Sequence, residues 1–157
     1  MIDSAIKLIG SVERIIEYKD GSSEIMTCEN AVLDKGRAAL AATLANLVGD
    51  TNEFYVARML FGDGGTTAGV KKFVNTNRNG LFGVTRLTKP VTALVDDLNP
   101  SQAIFTSVIT FDEVNSTTLN EMALQMANDD LYSMITFPDL NKTSVMQITW
   151  NWRLNFV

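Results

Sequence analysis

The chain has 157 residues and a net charge of −5, and its 46% hydrophobic and 20% charged residues are typical of a globular domain. Its 13 lysines and arginines are spread along the chain, which argues against a nucleic-acid partner, because neutralising phosphates takes clustered basic side chains. A single cysteine, Cys28, excludes an intrachain disulfide framework. No signal peptide and no apolar run of the roughly 18 residues that span a bilayer is present, so we expect a soluble protein made in a cytoplasm.

Residues 1–30 predict an N-terminal β-hairpin. The segment 5–18 is rich in isoleucine and valine, and it ends at the turn sequence Lys-Asp-Gly-Ser at 19–22. The segment 24–29 is expected to return as the second strand of this hairpin.

The segment 34–48, DKGRAALAATLANLV, is the only good helix candidate. Asp34 is placed to cap the first turn, and Gly49 supplies a stop. Apolar side chains recur at helical spacing, namely Leu40, Leu44, Leu47 and Val48. The many alanines allow the helix to pack closely on a sheet.

The remaining strands are predicted within 53–157. Alternating or β-branched segments are separated by turn residues and occur at 53–61, 84–95, 103–111, 119–126, 131–137 and 146–156. Pro90 indicates an edge or a bulge in its segment. The segment 103–111, AIFTSVITF, is expected to be buried on both faces.

The final segment, 146–156, alternates strictly between apolar and polar residues. Such a strand is roughly 35 Å long at about 3.3 Å per residue. One face carries Trp150, Trp152 and Phe156 and belongs in a core or a subunit interface. Because a bare edge of this length recruits other chains, we expect the strand to be central in its sheet or to pair across subunits.

About seven or eight strands at short spacing and one helix predict a mainly β fold. We expect one domain, 1–157, that is an antiparallel, jelly-roll-like β-sandwich with the helix packed on it.

The residues offer little for catalysis. There are no histidines, which removes the commonest general base and metal ligand, and we predict no enzyme activity, no cofactor and no metal site. The loop 62–69, GDGGTTAG, lacks the Gly-Lys-Ser/Thr of a phosphate-binding loop and is interpreted as a flexible connection or a contact with a neighbouring subunit. The acidic pairs at 96–97, 112–113 and 129–130 are interpreted as turn residues, with a divalent ion as the alternative.

Four stretches resemble a family of small virion proteins of tailed bacteriophages. They are NAVLDKGRAALAATLAN at 30–46, MLFGDGGTTAG at 59–69, AIFTSVITF followed by LNEMAL, and FPDLNKTSVMQITWNWRLNF at 137–156. In LNEMAL, Ala123 stands where the family has a glycine. The family's Gly-x-Gly loop is Asp-Gly-Gly in this chain. The match covers most of the chain beyond residue 30.

The resemblance implies a structural protein of the virion, assembled in the cytoplasm of a host bacterium. The first choice is an external capsid decoration protein, acting as a symmetric homo-oligomer such as a trimer and bound to the major capsid protein. A tail, baseplate, collar or fibre-attachment protein is the alternative. The aromatic residues suggest a second alternative, a carbohydrate-binding module that stacks sugars on Tyr55, Tyr132 and the two tryptophans. No membrane partner is expected. The predicted interface residues are Trp150, Trp152, Phe156, Gly62, Asp63, Gly64 and Gly65.

Overall fold

The computed structural model describes residues 7–45 and 53–157. In chain order, the elements in these residues are β1 (Leu8–Tyr18), β2 (Ser23–Val32), α1 (Asp34–Leu44), β3 (Val56–Gly62), β4 (Thr66–Thr67), β5 (Val70–Lys71), β6 (Thr85–Pro90), β7 (Thr92–Asp96), β8 (Asn99–Ile109), β9 (Thr117–Met126), β10 (Leu131–Lys142) and β11 (Met146–Phe156). This confirms a mainly β fold with one helix.

Nine strands form one antiparallel sheet, in the order β6-β3-β9-β10-β2-β1-β11-β8-β7, and β4 pairs with β5 alone. The sheet folds back on itself at β2. Residues 23–30 of this strand pair with β1, whereas Ala31 and Val32 pair with β10. The two halves therefore face each other as a nearly closed, barrel-like sandwich.

The predicted strand 84–95 is divided in the structure. β6 pairs with β3, and β7 pairs with β8. Between them, Val91 donates its N–H to the carbonyl oxygen of Ala57 at 3.2 Å. β6 is an edge strand of the sheet, one of the two arrangements that Pro90 predicted, because proline has no N–H to donate to a further strand.

β11 is central in the sheet, as predicted, between β1 and β8. Its apolar face lies in the interior between the two halves, where Trp150 packs with ring centroids 5.7 Å from Phe61 and 5.2 Å from Phe137. Both tryptophans have 0% exposed surface. The alternation of the sequence thus places the largest side chains in the core of the chain.

The N-terminal hairpin and the hairpin of β9 and β10 form as predicted. Gly21 has a positive φ of 87° in the first turn, and Asp129 has a φ of 71° in the second. The predicted burial of 103–111 on both faces is wrong, because only Ser107 and Ile109 of this segment are buried and its other residues are partly or fully exposed. Its two faces are unequal, since only one of them points into the sandwich.

Helix α1 begins at Asp34 as predicted, but Leu33 is its N-cap and no side chain caps it. The Asp34 N–H instead donates to the carbonyl oxygen of Thr76. Leu44 is exposed, so the apolar helical face was wrongly predicted there, and 46–49 lie outside the described residues. A Cβ at Gly36 would lie 2.4 Å from the Tyr132 carbonyl oxygen, which shows how closely the helix approaches β10. Among the described residues, no helix has the length and apolarity needed to cross a membrane.

Candidate functional site

A buried glutamate organises the glycine loop that follows β3. Glu121 of β9 has 0% exposed surface, and its carboxylate accepts three backbone N–H groups. Oε1 accepts from Gly64 at 2.9 Å and from Gly83 at 2.8 Å, and Oε2 accepts from Phe82 at 2.7 Å. Charge-assisted hydrogen bonds of this kind offset the desolvation of the carboxylate. One side chain therefore fixes two distant loops against the sheet.

The glycines of this loop permit a close backbone approach. A Cβ on Gly64 would lie 2.2 Å from the Gly83 nitrogen, and a Cβ on Gly65 would lie 2.2 Å from the Asn120 carbonyl oxygen. Real Cβ atoms do not come so close to backbone atoms, so both positions require glycine. The sequence GDGG is therefore explained by packing against β9 and against the segment around Gly83.

A second set of hydrogen bonds lies beside Glu121. The buried Asn120 accepts the Gly65 N–H at 2.6 Å and donates from Nδ2 to Thr66 Oγ1 and to Asp139 Oδ1, each at 3.0 Å. Thr66 Oγ1 also donates to Asp139 Oδ1 at 2.7 Å. Hydrogen bonds from Asn120 and Thr66 lower the pKa of the Asp139 carboxyl below its usual value.

Residues 62–84, which we call the arm, lie across the outer face of β9 and β10. A small second core lies between this face and the arm. It is made of Leu33, Ala123, Leu131, Met134, Leu60, Val74, Leu81 and Phe82. Thr136 Oγ1 donates to the Lys72 carbonyl oxygen at 2.7 Å. Within the arm, the guanidinium of Arg78 lies 3.7 Å from the Phe82 ring centroid.

The start of the loop 62–69 is therefore packed, whereas 67–69 are exposed, and the flexibility of the loop stays a prediction. Gly62 and Gly65 are buried, and Asp63 accepts hydrogen bonds from the Val84 N–H and from Arg86. What the arm presents to solvent lies further along: Val70 is exposed, and Phe73 has 85% of its surface exposed. Contact of Asp63 and Gly64 with a neighbouring subunit stays a prediction.

Of the predicted interface residues in β11, Trp150 and Trp152 are corrected to core residues, because each is enclosed within the chain. Phe156 is half-buried and lines an apolar cleft of about 340 Å³ at one end of the sandwich, beside Leu40 of α1 and Phe105 of β8. The structure does not bring Phe156 together with the glycine loop, which lies against Glu121 on the outer face of β9.

The acidic pairs occupy turns, as interpreted from the sequence. Asp96 accepts the Leu98 N–H at 2.9 Å, Glu113 accepts the Thr110 N–H at 2.8 Å, and Asp129 forms an ion pair with Arg58 at 2.9 Å. Within 7–45 and 53–157, no group of three or more histidine, cysteine or acidic residues is placed to hold a metal ion.

The hairpin of β7 and β8 is a feature that sequence reasoning missed. All of its leading strand except Asp96 is exposed, with Leu94 at 51% and Val95 at 59%, and Leu98 in the turn is 97% exposed. The signal in the sequence was a leucine next to Asp-Asp, inside a turn that otherwise looks polar. Leu94 and Val95 point to opposite faces of the strand, so each face of this edge exposes an apolar side chain.

Comparison with protein-family models, with curated proteins and with solved structures finds no match for this chain.

Proposed function

We propose that this chain is a non-enzymatic structural component of a tailed-bacteriophage virion, with an external capsid decoration protein as the first choice. It would stabilise the shell through contacts with its own copies and with the major capsid protein. The resemblance of the four stretches is the source of the virion assignment. The structural observation that carries the proposal is the display of large apolar side chains on two elements of a stiff β scaffold.

The first of these elements is the arm, which exposes Val70 and Phe73. The backbone next to Phe73 is held on both sides, because the Lys72 N–H donates to the Gly65 carbonyl oxygen at 2.8 Å and the Lys72 carbonyl oxygen accepts from Thr136 at 2.7 Å. A preorganised surface loses less conformational entropy when it binds, and its affinity is correspondingly higher. A high affinity of this kind suits a structural protein that binds to a repeating lattice of subunits and does not act on a substrate.

The second element is the β7–β8 hairpin, with Leu94, Val95 and Leu98 exposed at and near its tip. In the proposed role, this apolar tip contacts neighbouring capsomers of the shell. The net charge of −5 keeps the free chain soluble and disfavours contact with packaged DNA, which supports a position outside the shell.

A tail, baseplate, collar or fibre-attachment role needs the same kind of surfaces and is the alternative. Copy number separates the two roles, because a decoration protein repeats over the whole shell and a tail protein is present in far fewer copies. Quantitative mass spectrometry of purified particles measures this directly.

The carbohydrate-binding alternative requires exposed aromatic rings for stacking. Of the four residues predicted for it, only Tyr55 is exposed, while Tyr132 and both tryptophans are buried. A single exposed tyrosine gives this alternative little support, and a glycan array tests it.

The proposal is tested by adding the purified chain to phage particles that lack it. We expect saturable binding and greater resistance of the particles to heat. Phe73→Ser and Leu98→Ser are expected to weaken binding, and Val145→Ser, which alters an exposed apolar residue in the turn before β11, serves as the matched control. Absence of binding to both heads and tails would contradict a virion role.

A further inference from the structure

The two edges of the nine-stranded sheet differ in chemistry. β6 carries Arg86, Lys89 and Pro90, and Lys89 forms an ion pair with Glu113 at 2.8 Å. Charged residues and proline are the usual means by which a sheet edge is protected from pairing with another chain. β7 at the other edge has the sequence TALVD, with no basic residue and no proline. Its first four residues therefore carry neither a charge nor a proline, and its one charged residue, Asp96, stands at the end of the strand.

Among the residues that the structure describes, the backbone of β7 has a strand partner on one side only. It pairs with β8, Leu94 lying opposite Ile104, and no hydrogen bond among the described residues crosses its other side after Val91. A five-residue strand in this position leaves N–H and C=O groups directed at solvent, which are a template for an added strand.

We infer that β7 is a self-association surface, at which the β7 strands of two copies pair antiparallel about a two-fold axis through Leu94. When two copies of β7 run in opposite directions, apolar side chains lie opposite apolar side chains at the three central positions. Leu94 meets the partner's Leu94 on one face, and Ala93 meets the partner's Val95 on the other. Cross-strand apolar pairs of this kind are stabilising.

Charge supports a second copy as the occupant of this edge. The only charged residue of β7 is Asp96 at its end, and the two-fold register places it opposite the partner's uncharged Thr92. No like charges face each other, although each copy is acidic overall. The same register brings Leu98, 97% exposed, towards the partner's Pro90, which is also exposed.

The pairing is expected to be weak for the free chain. Two short strands and two leucines bury less than the roughly 1,200 Å² that a stable interface needs. Association should therefore rise with protein concentration and become strong only where many copies are held side by side. The biological use of this contact rests on the proposed function, but the pairing itself can be measured on the pure chain.

The test uses sedimentation velocity of the full chain over a wide concentration range. We expect a reversible monomer–dimer equilibrium. Leu94→Lys should weaken it by about tenfold or more, because two ammonium groups would then face each other across the axis. Val70→Lys on the arm is the matched control and should leave it unchanged. Circular dichroism and thermal unfolding of Leu94→Lys check that the variant is folded.

Cysteine cross-linking tests the register. Directly opposed residues of an antiparallel pair have Cα atoms about 4.5–5.5 Å apart, which is within the range of a disulfide. In a Cys28→Ala background, Leu94→Cys should form a disulfide-linked dimer on oxidation, and Val70→Cys should not. Thr92→Cys should cross-link with Asp96→Cys in a mixture.

A chain that is monomeric at every concentration, or a Leu94→Cys variant that cross-links no better than Val70→Cys, would overturn the inference. Association that Leu94→Lys leaves intact would overturn it as well, because another surface would then be responsible. If the pairing is observed but the chain is absent from phage particles, the proposed function fails and the self-association stands.

Discussion

The Gly64 N–H donates to Glu121 Oε1 at 2.9 Å, across 57 positions of the chain. This bond, with those from Phe82 and Gly83 to the same carboxylate, joins the start and the end of the arm to the centre of β9. The carboxylate has no exposed surface, and the hydrogen bonds it accepts therefore carry its stabilisation.

Replacing Glu121 with glutamine is expected to destabilise the fold by about 1–3 kcal/mol, because the amide removes the charge and presents N–H donors to other N–H groups. Urea unfolding measures the change. Glu53→Gln, at an exposed position, is the control and should be neutral. Equal unfolding midpoints for the two variants would refute the role given to Glu121.

Gly65→Ala is expected to cost about 1–3 kcal/mol, because its Cβ would fall 2.2 Å from the Asn120 carbonyl oxygen and the loop would have to move. Gly80→Ala is a matched control in the same arm, since nothing lies within 4 Å of its added Cβ. Thermal unfolding of both variants decides the point, and similar melting temperatures would contradict the close approach.

Trp150→Ala should reduce the free energy of unfolding by about 3–5 kcal/mol, because the ring contacts Phe61 and Phe137 in the core. Phe73→Ala, at an exposed aromatic position, should change it by less than about 0.5 kcal/mol. Fluorescence of the native chain provides a second measurement, and a red-shifted, easily quenched emission would show that the tryptophans face solvent.

Asp139→Asn should lower stability at neutral pH and reduce its dependence on pH in the acid range. Hydrogen bonds from Asn120 and Thr66 lower the pKa of Asp139 below its ordinary value, so the folded state binds its proton more weakly than the unfolded state. The resulting stability is present above the unfolded pKa and is lost as the pH falls through the folded value. The difference between native chain and variant should therefore shrink below about pH 4. Asp97→Asn, at an exposed turn, is the control, and a difference that stays constant with pH would contradict the prediction.

Strands and hairpins could be predicted where neighbouring residues in the sequence carry the pattern that identifies them. Alternation identified β11, and turn residues identified the hairpins at Gly21 and Asp129. Alternation could not tell a core from an interface, because both require one apolar face, and Trp150 and Trp152 were therefore left open between the two. The complete burial of both side chains within the chain decides it.

The glycine loop and the exposed hairpin could not be predicted for a different reason. The loop is held by Glu121, and nothing local in GDGG indicates that distant partner. Pro90 predicted an edge or a bulge but not the division of 84–95 into two strands, and the exposure of Leu94 depends on β7 being the last strand of the sheet, which is a property of the whole topology. Helix α1 was predicted from its own residues, and the error at Leu44 reflects a helix that uses Gly36 and Ala39 to contact the sheet.

The position of β11 between β1 and β8 has a consequence for how the chain folds. β11 follows every other strand of the sheet in the chain, yet it supplies ladder bonds to one of the earliest. During synthesis, β1 is therefore made long before its neighbour β11. The barrel-like sandwich cannot close until this last strand is present. Such distant pairing slows the search for the native state, and the transition should be highly cooperative and should occur only after the segment 146–156 has emerged.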